Sequence, residues 1–469
     1  MSIVIKPFFT PYGKYIYDRE TNSILSVDSD EYETFNRIYE NKAILNDLEL
    51  LKIYQEKGYC KDSQLKKVEH PLDKMVDFHL NNKIEKITLQ VTQNCNLRCA
   101  YCSYSGMYNQ RTHSNKSMSY EIMEKSIDFI MHHSTNSKKI DIGFYGGEPL
   151  LEFNNIKKLL TYISRKYPYK EITYSMTSNG TVFTNENIQF LSNNKFNILV
   201  SIDGPRELHN KNRVFVNGEG SFDKMMKNIM YIKSEYPTFF KKISFNTVIA
   251  PGNDFKCAND FFNANDIIEE NTLNATTISD FNNKNDIQYD DLYFITNRIQ
   301  RTKLFLSALG LISKDKVSKL YSTDLPLLIR FYNGLGKTSN LTPIAHPGGP
   351  CIPGARRPMI DIDGNIYPCE KVSEESESMK IGNIYSGFDV DKVRSILNIG
   401  KLTENKCLDC WNFIHCGMCA ASADDIKKLS GDKRLSKCDG AKNNTLYKFR
   451  AICLLKENNF DFEEASYYA

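Results

Sequence analysis

The chain has 469 residues, of which 41% are hydrophobic and 25% charged, with 24 Gly and 15 Pro. This composition excludes a disordered, collagenous or low-complexity chain and predicts a globular protein of about three domains, at ~150 residues each. A formal net charge of +3 is too small to argue for a nucleic-acid or anionic-membrane partner. No apolar run approaches the ~18 residues of a transmembrane helix, and the first residues lack the features of a signal peptide. We therefore expect a cytoplasmic protein with no nucleic-acid or membrane partner.

Residues 1–84 are predicted to form a small module, called the front module below. The segment GKYIYDRETNSILSVD has the pattern of a β-hairpin, with Tyr15 and Tyr17 on one arm and Leu25 and Val27 on the other. A stretch with helical periodicity follows and ends at Gly58. A hairpin with helices is too small for an enzyme site but large enough for a recognition module.

From Lys86 onward the pattern changes to short strands that alternate with amphipathic helices. The predicted strands are KITLQVT, KKIDIGFY, EITYSMTS, FNILVSID, KISFNTVI and NATTISD. Strands separated by helices favour parallel βαβ units, so the fold class is α/β, with an open or partial (β/α)6 barrel over residues 85–285. Chemistry in such folds gathers at the carboxyl ends of the strands.

The chain after the predicted barrel divides into segments that differ in composition. Residues 252–286 are rich in Asn and Asp and are expected to be an irregular surface region. Helices are predicted between Tyr289 and Tyr332, within a helical bridge over residues 286–345. Residues 346–445 form a cysteine-dense domain, and residues 446–469 a terminal helix and tail.

The number and spacing of the cysteines point to metal binding. The chain has 13 Cys, an odd number, and in a reducing compartment such a set is more typical of metal binding than of disulfides. Cys95, Cys99 and Cys102 form a first knot directly after the strand KITLQVT. Three thiolates at this spacing can hold a 4Fe–4S cluster with one iron left open. The alternatives are a redox pair of Cys99 and Cys102, which does not use Cys95, and a zinc site, which needs a fourth ligand nearby.

The first knot, with Tyr101 before its third cysteine, resembles the radical S-adenosylmethionine (AdoMet) superfamily. Further motifs match in order at the following strand ends, including a GGEP turn and the stretch from Ser201 to Arg213. The resemblance implies AdoMet contacts at ten positions: Tyr101, Gly146, Gly147, Glu148, Pro149, Ser178, Asn179, Ser201, Asp203 and Arg213. It also implies that an electron from the reduced cluster cleaves AdoMet to a 5′-deoxyadenosyl radical, which abstracts a hydrogen atom from the substrate. The electron would come from a reducing partner such as flavodoxin or ferredoxin.

A second cysteine group follows in the cysteine-dense domain. Its members are Cys351, Cys369, Cys407, Cys410, Cys416, Cys419 and Cys438. A structural zinc built from two CxxC pairs is the alternative. However, zinc ribbons separate their pairs by about 12–20 residues, and seven cysteines exceed one zinc. Two further iron–sulfur clusters explain the set better, which makes three 4Fe–4S clusters in all.

This second group resembles the SPASM extension of radical AdoMet enzymes, in which Gly364 and Cys369 match a G-x4-C element. One departure is that two residues, rather than three, separate Cys416 from Cys419. The resemblance implies an auxiliary cluster II on Cys407, Cys410, Cys416 and Cys438. It implies an auxiliary cluster I on Cys351, Cys369 and Cys419.

Three ligands leave auxiliary cluster I one short. Either one of the lone cysteines supplies the fourth ligand, with Cys257 as the first candidate, or the fourth position stays open for a substrate thiolate. Cys60 and Cys453 are expected to be small buried hydrophobes. Glu370 follows Cys369, where sulfatase-maturing relatives carry an Asp that takes a proton from the substrate, so Glu370 is a candidate catalytic residue. An ordinary surface glutamate is the alternative.

SPASM enzymes largely modify peptides, and the front module is similar to the winged-helix-like, PqqD-like element that grips a leader peptide by strand addition. A structural cap on the barrel is the alternative for this module. We therefore predict a maturase of a ribosomally made precursor peptide with a leader, which closes a crosslink. A Cys thioether is the favoured product, and a carbon–carbon link such as Lys to Trp is the close competitor.

Two other functions stay open. An anaerobic sulfatase-maturing enzyme would form formylglycine, although such enzymes usually have Asp at the position of Glu370 and lack a front module. A non-catalytic iron–sulfur electron carrier or zinc scaffold would have no use for the AdoMet motifs.

Overall fold

The computed structural model describes residues 3–252, 254–264, 266–279, 281–284, 287–336, 341–348 and 351–466. Within these ranges the strands form one ten-stranded sheet, one three-stranded sheet and one two-stranded sheet. Among the same residues we find no helix with both the length and the apolar character needed to cross a bilayer.

The front module is a three-stranded antiparallel sheet followed by two helices. Its elements are β1 (Ile5–Phe9), β2 (Lys14–Asp18), β3 (Ser23–Val27), α1 (Ser29–Tyr39) and α2 (Leu45–Glu56). The predicted hairpin is confirmed, because β2 pairs with β3 in the register Tyr15 to Ser26. The strand β1, which pairs with the other side of β2, was not predicted. Gly58 has a φ of 95°, which suits its position directly after the second helix.

The central part of the chain alternates strands and helices. Its elements are β4 (Lys67–Val68), α3 (Val76–Asn82), β5 (Lys86–Thr92), α4 (Tyr120–His132), β6 (Lys139–Gly146), α5 (Phe153–Lys166), β7 (Glu171–Ser178), α6 (Asn185–Asn193), β8 (Asn197–Ser201), α7 (Arg206–Asn212), α8 (Phe222–Glu235), α9 (Pro237–Phe240), β9 (Ile243–Ile249), α10 (Phe255–Ala264), α11 (Asp266–Glu269) and β10 (Leu273–Thr277). All six predicted strands are confirmed as β5 to β10. They pair in parallel in sequence order, which is the order that a partial (β/α)6 barrel requires.

The expectation of an irregular surface region over residues 252–286 is wrong. Two helices and β10 occupy much of it, and Phe262 and Ile268 are 0% and 2% exposed. The apolar residues Phe255, Ala258 and Phe262 share one face of α10, but the Asn and Asp residues between them dilute the average hydrophobicity of the segment.

The last third of the chain contains α12 (Asp291–Ala308), α13 (Asp324–Asn333), β11 (Ile344–Ala345), β12 (Met359–Ile360), β13 (Asn365–Tyr367), β14 (Gly382–Asn383), β15 (Gly387–Phe388), α14 (Val390–Leu397), α15 (Glu404–Cys407), α16 (Gly431–Ser436), α17 (Cys438–Glu457) and α18 (Phe462–Ser466). The helices predicted between Tyr289 and Tyr332, and the terminal helix from Cys438, are confirmed.

The cysteine-dense domain extends the central sheet, which was not predicted. β12 pairs in parallel with the free edge of β5, in the register Met359 to Thr88. β13 returns antiparallel and places Tyr367 beside Met359. The chain therefore leaves β13 toward the amino end of β5, and this carries Cys369 and Glu370 to the end of the sheet opposite the first knot.

Candidate active site

The first knot lies on the loop after β5. The three cysteines are close enough that the charges of Cys99 and Cys102 both act on Cys95, while burial raises the pKa of the Cys95 thiol to about 12. Within the described ranges, no three His, Cys, Asp or Glu side chains meet the geometry for one shared metal ion. The cysteines of an iron–sulfur cubane bind different irons and need not converge on one point.

The Gly146–Gly147 turn at the end of β6 presses directly against this loop. A Cβ on Gly147 would lie 2.0 Å from the Asn94 carbonyl oxygen, and one on Gly146 would lie 2.0 Å from the Thr92 carbonyl oxygen. The amides of Gly147 and Glu148 donate to those same two carbonyls at 2.9 Å. Only glycine fits here, so the pair fixes the cysteine loop against the sheet.

Glu148 ties the end of β6 to the end of β7. Its carboxylate is buried and accepts hydrogen bonds from Ser178 Oγ at 2.9 Å and from the Asn179 amide at 2.8 Å. Burial raises the pKa of this carboxyl to about 7. Asn179 in turn places its side-chain nitrogen 3.8 Å from Cys95 Sγ. The Glu148 side chain therefore holds the end of β6 against the end of β7. Pro149 begins the short 3-10 turn that follows Glu148.

Tyr101, Asp203 and Arg213 form one buried group beside the knot. Arg213 Nε donates to Asp203 Oδ2 at 3.1 Å, and the Tyr101 hydroxyl donates to the same oxygen. Arg213 Nη1 lies 3.9 Å from Cys99 Sγ, where its charge opposes the rise that burial causes in the pKa of Cys99. Ser201 ends β8, two residues before Asp203.

A cavity of about 530 Å³ opens next to Tyr101, past the ends of β9 and β10. Its lining residues are Ala100, Tyr101, Met107, Asn212, Ala250, Pro251, Ile278, Asn283, Ile287 and Gln288. The volume lies in the range of cofactor sites. Apart from Tyr101, sequence reasoning missed these residues, because they share a strand end rather than a motif.

A second cavity, of about 330 Å³, runs along the strands β5 to β10. Lys86 and Tyr145 line it from the sheet, and Arg357 and Glu370 line it from the cysteine-dense domain. The Glu370 side chain is 19% exposed and lies 3.2 Å from Arg357 Nη1. Its other carboxylate oxygen is buried without a hydrogen bond. Glu370 is therefore a half-buried, ion-paired residue of the cavity wall.

Arg111 joins the segment after the first knot to the segment that carries Glu370, and sequence reasoning missed it. Its Nη2 donates to the carbonyls of Glu370 at 3.0 Å and Val372 at 2.9 Å. Its guanidinium lies 5.4 Å from the ring centroid of Tyr104, two residues after Cys102. Arg111 lies in no sequence motif, so its contacts with the Glu370 segment and with Tyr104 become visible only in the folded chain.

The cysteines of the second group lie in the cysteine-dense domain, and four of them surround one cavity. The cavity has a volume of about 190 Å³, and the four cysteines are Cys407, Cys410, Cys416 and Cys438. Burial raises the pKa of the Cys410 and Cys438 thiols, and the nearby charge of Lys442 opposes part of that rise. This donor set fits a 4Fe–4S cluster.

The other three cysteines of this group are Cys351, Cys369 and Cys419. The charge of Cys419 acts on both Cys351 and Cys369, and Cys351 and Cys419 are exposed. The charged groups that act on Cys257 are instead three carboxylates, so the structure does not support Cys257 as the fourth ligand. Cys60 and Cys453 are 0% and 4% exposed, as expected for buried hydrophobes.

With this geometry established, the chain was compared with known proteins. The Radical SAM superfamily profile matches residues 89–263. The chain contains a radical SAM domain. It is 26% identical to the cysteine-type anaerobic sulfatase-maturating enzyme of Clostridium perfringens over 379 residues, 78% of this chain and 96% of that enzyme. It is 25% identical to the radical SAM cyclopropyl synthase TigE of Paramaledivibacter caminithermalis, over 52% of this chain and 54% of that one.

The radical SAM chain also resembles solved structures. Native anSMEcpe with bound AdoMet and Cp18Cys peptide superposes with a TM-score of 0.58 at 20% identity, over 79% of this chain and 99% of that one. Native anSMEcpe with bound AdoMet alone gives a TM-score of 0.58 at 21% identity. These two matches show a common fold. The family profile and the sequence relatives show a radical SAM domain and homology to the anaerobic sulfatase-maturating enzymes.

Proposed function

We propose that this radical SAM enzyme matures a ribosomally synthesised precursor peptide by removing a hydrogen atom and closing a crosslink, with a Cys thioether as the favoured product. In that reaction the Cys thiol would lose its proton, and the second electron released as the carbon–sulfur bond forms would pass to auxiliary cluster I. The cavity along β5 to β10 carries this proposal. Glu370, next to Cys369, lines it together with Tyr145, on which the charges of Cys102 and Glu370 both act. A substrate residue in this cavity would lie between the first knot and auxiliary cluster I.

The donor sets fit AdoMet and three 4Fe–4S clusters. The first knot would hold the AdoMet-binding cluster, because its cysteine loop rests on a glycine turn that no side chain could replace. When bound, the reduced cluster and AdoMet supply a 5′-deoxyadenosyl radical for hydrogen abstraction. A flavodoxin or ferredoxin is the proposed reducing partner.

The protein's own groups would position AdoMet and the substrate. The pairing with Asp203 holds the Arg213 side chain beside Tyr101 and Cys99, where it would meet an AdoMet carboxylate. The Glu370 carboxylate, which lines the cavity, would accept a proton from the substrate residue. Arg357 holds one oxygen of this carboxylate.

The front module is proposed to bind the leader. Among the described residues β3 pairs only with β2, so its outer edge can accept an added strand. A groove of about 480 Å³ follows this edge and is lined by Ser23, Ile24 and Ser26 on one side and by residues of α17 on the other. Since the match to the Clostridium perfringens relative leaves about a fifth of the chain uncovered, a module of this size is compatible with an addition to the shared enzyme.

Formylglycine formation is the second candidate. The alignment over 96% of a cysteine-type sulfatase-maturating enzyme favours it, as does a cavity carboxylate in Glu370. The front module and the Glu in place of the usual Asp favour a crosslinking maturase instead.

The deciding experiment incubates the anaerobically reconstituted enzyme with AdoMet, reductant and two substrates. One is a candidate precursor peptide that contains Cys, and the other is a sulfatase peptide with its target Cys. Loss of hydrogen with sulfur retained in the first peptide supports the crosslinking maturase. Exchange of sulfur for oxygen in the second peptide supports formylglycine formation. If AdoMet is not cleaved, the chain is an electron carrier or a scaffold.

A further inference from the structure

The turn between β2 and β3 of the front module docks onto the loop that carries Cys407, Cys410 and Cys416. Arg19, in this turn, is 0% exposed. Its Nη1 donates to the carbonyl oxygens of Leu408 at 2.6 Å and Cys410 at 3.3 Å. A side chain of the front module thus supplies donors to the backbone of the proposed auxiliary cluster II loop, from almost four hundred residues away in sequence.

The Arg19 guanidinium is itself held rigidly. Its Nε and Nη2 both donate to Glu20 Oε1, at 3.1 and 2.8 Å, and Nη2 also donates to Ser63 Oγ. The second oxygen of Glu20 accepts from the Gln64 amide at 3.3 Å. All three nitrogens of the Arg19 guanidinium therefore have hydrogen-bond partners. The single ammonium group of a lysine could not reach all of these partners at once.

A second contact from the same turn reaches the other end of the cysteine loop. Asn22 Oδ1 lies 2.7 Å from His415 Nε2, directly before Cys416, and also accepts from the Tyr17 hydroxyl at 2.9 Å. The Tyr17 ring meets the Trp411 ring edge-on at 6.4 Å between centroids. The turn therefore contacts the loop at Leu408, Cys410 and His415, and the adjoining strand β2 contacts it at Trp411.

We infer that the front module completes the auxiliary cluster II site, with Arg19 as a positioning residue that holds the Cys407–Cys410 segment in its ligating conformation. The inference rests on the proposed assignment of Cys407, Cys410, Cys416 and Cys438 to one cluster. Without Arg19, the carbonyl oxygens of Leu408 and Cys410 lose their charged donor, although Cys410 keeps a hydrogen bond from the Phe413 amide at 3.1 Å. The module is then a part of the metal domain as well as a leader-binding element.

The test compares Arg19→Gln and Arg19→Lys with Arg37→Gln. Arg37 is the matched control, because it pairs with Asp47 inside the same module at 2.5 Å, away from the cysteine loop. Each full-length protein is reconstituted anaerobically, its iron is counted, and its reduced clusters are recorded by electron paramagnetic resonance. We expect both Arg19 variants to lose about four of about twelve irons, or to show an altered auxiliary signal, with the AdoMet-responsive signal unchanged. Full iron and unaltered spectra in both Arg19 variants would overturn the inference.

A second measurement does not depend on the folding of the Arg19 variants. Amide hydrogen exchange is compared between the loaded native chain and a Cys407→Ser, Cys410→Ser double variant. We expect the amides of residues 18–23 to exchange faster in the double variant, while those of α1 stay unchanged. Equal exchange in the turn would contradict the coupling. If the double variant keeps the full iron content, the cluster assignment itself fails, which is distinct from a failure of the role of Arg19.

Discussion

Arg213 and Asp203 form a buried ion pair directly beside the first cysteine knot, with 3.1 Å between Arg213 Nε and Asp203 Oδ2. Their side chains are 9% and 0% exposed, so neither charge can be satisfied by bulk water if the other is removed. The pair also borders the first knot, because Arg213 Nη1 lies 3.9 Å from Cys99 Sγ.

Asp203→Asn is expected to lower the free energy of unfolding by about 3–5 kcal/mol, because it leaves the Arg213 charge buried and unpaired. It should also weaken AdoMet binding, measured by equilibrium dialysis alongside thermal unfolding. Arg206→Gln is the control, since its pair with Asp223 is 59% and 58% exposed and should contribute at most ~1 kcal/mol. Equal stability of Asp203→Asn and the native chain would refute this account of the pair.

Gly147→Ala is expected to remove the cluster of the first knot. The new Cβ would lie 2.0 Å from the Asn94 carbonyl and 3.0 Å from Cys95 Cβ, so the cysteine loop must move. Iron content should fall by about four per chain, together with AdoMet cleavage. Gly440→Ala, which meets no atom within 4 Å, should keep the full iron content. A Gly147→Ala protein with native iron and cleavage would show that the turn does not constrain the loop.

Glu370→Gln is expected to separate AdoMet cleavage from product formation. The amide cannot accept the substrate proton, so the rate of peptide modification should fall by about 10²–10⁴-fold while 5′-deoxyadenosine still forms. Both products are measured in one assay by mass spectrometry. Glu375→Gln, on the same segment but exposed, should behave as the native chain does. Unchanged peptide modification in Glu370→Gln would exclude this carboxylate as the base.

His346 should make the stability of the chain depend on pH. Its Nε2 accepts from the Gly400 amide at 2.9 Å, and burial lowers its pKa from 6.5 to about 4. Between these two values the unfolded chain binds a proton that the folded chain does not, so this contribution to stability is lost as pH falls from 6.5 toward 4. His346→Gln should therefore show a shallower decline than the native chain in denaturant titrations at pH 7 and pH 5. Parallel declines would contradict this role of His346.

Much of the fold could be predicted because its signals are local. The strands β5 to β10 have apolar patterns of their own, and the first knot and the strand-end motifs lie within short segments. The strands β12 to β15 could not be found, since each has two or three residues and exists only through pairing with distant partners. The same holds for Arg111 and Arg19, whose roles arise from contacts across 259 and 389 residues. Glu370 was identified by its neighbour Cys369, but only the paired strands show that it faces the cavity.

The central claim is that the first knot of this chain drives radical chemistry on AdoMet. The most direct measurement is 5′-deoxyadenosine formation by the anaerobically reconstituted chain with AdoMet and dithionite. It is compared with a Cys95→Ala, Cys99→Ala, Cys102→Ala triple variant and with Cys60→Ala as the control at a buried cysteine of the front module. The account predicts product from the native and Cys60→Ala proteins and none from the triple variant. An iron-loaded native chain that forms no 5′-deoxyadenosine, or a triple variant that forms as much as the native chain, would contradict it.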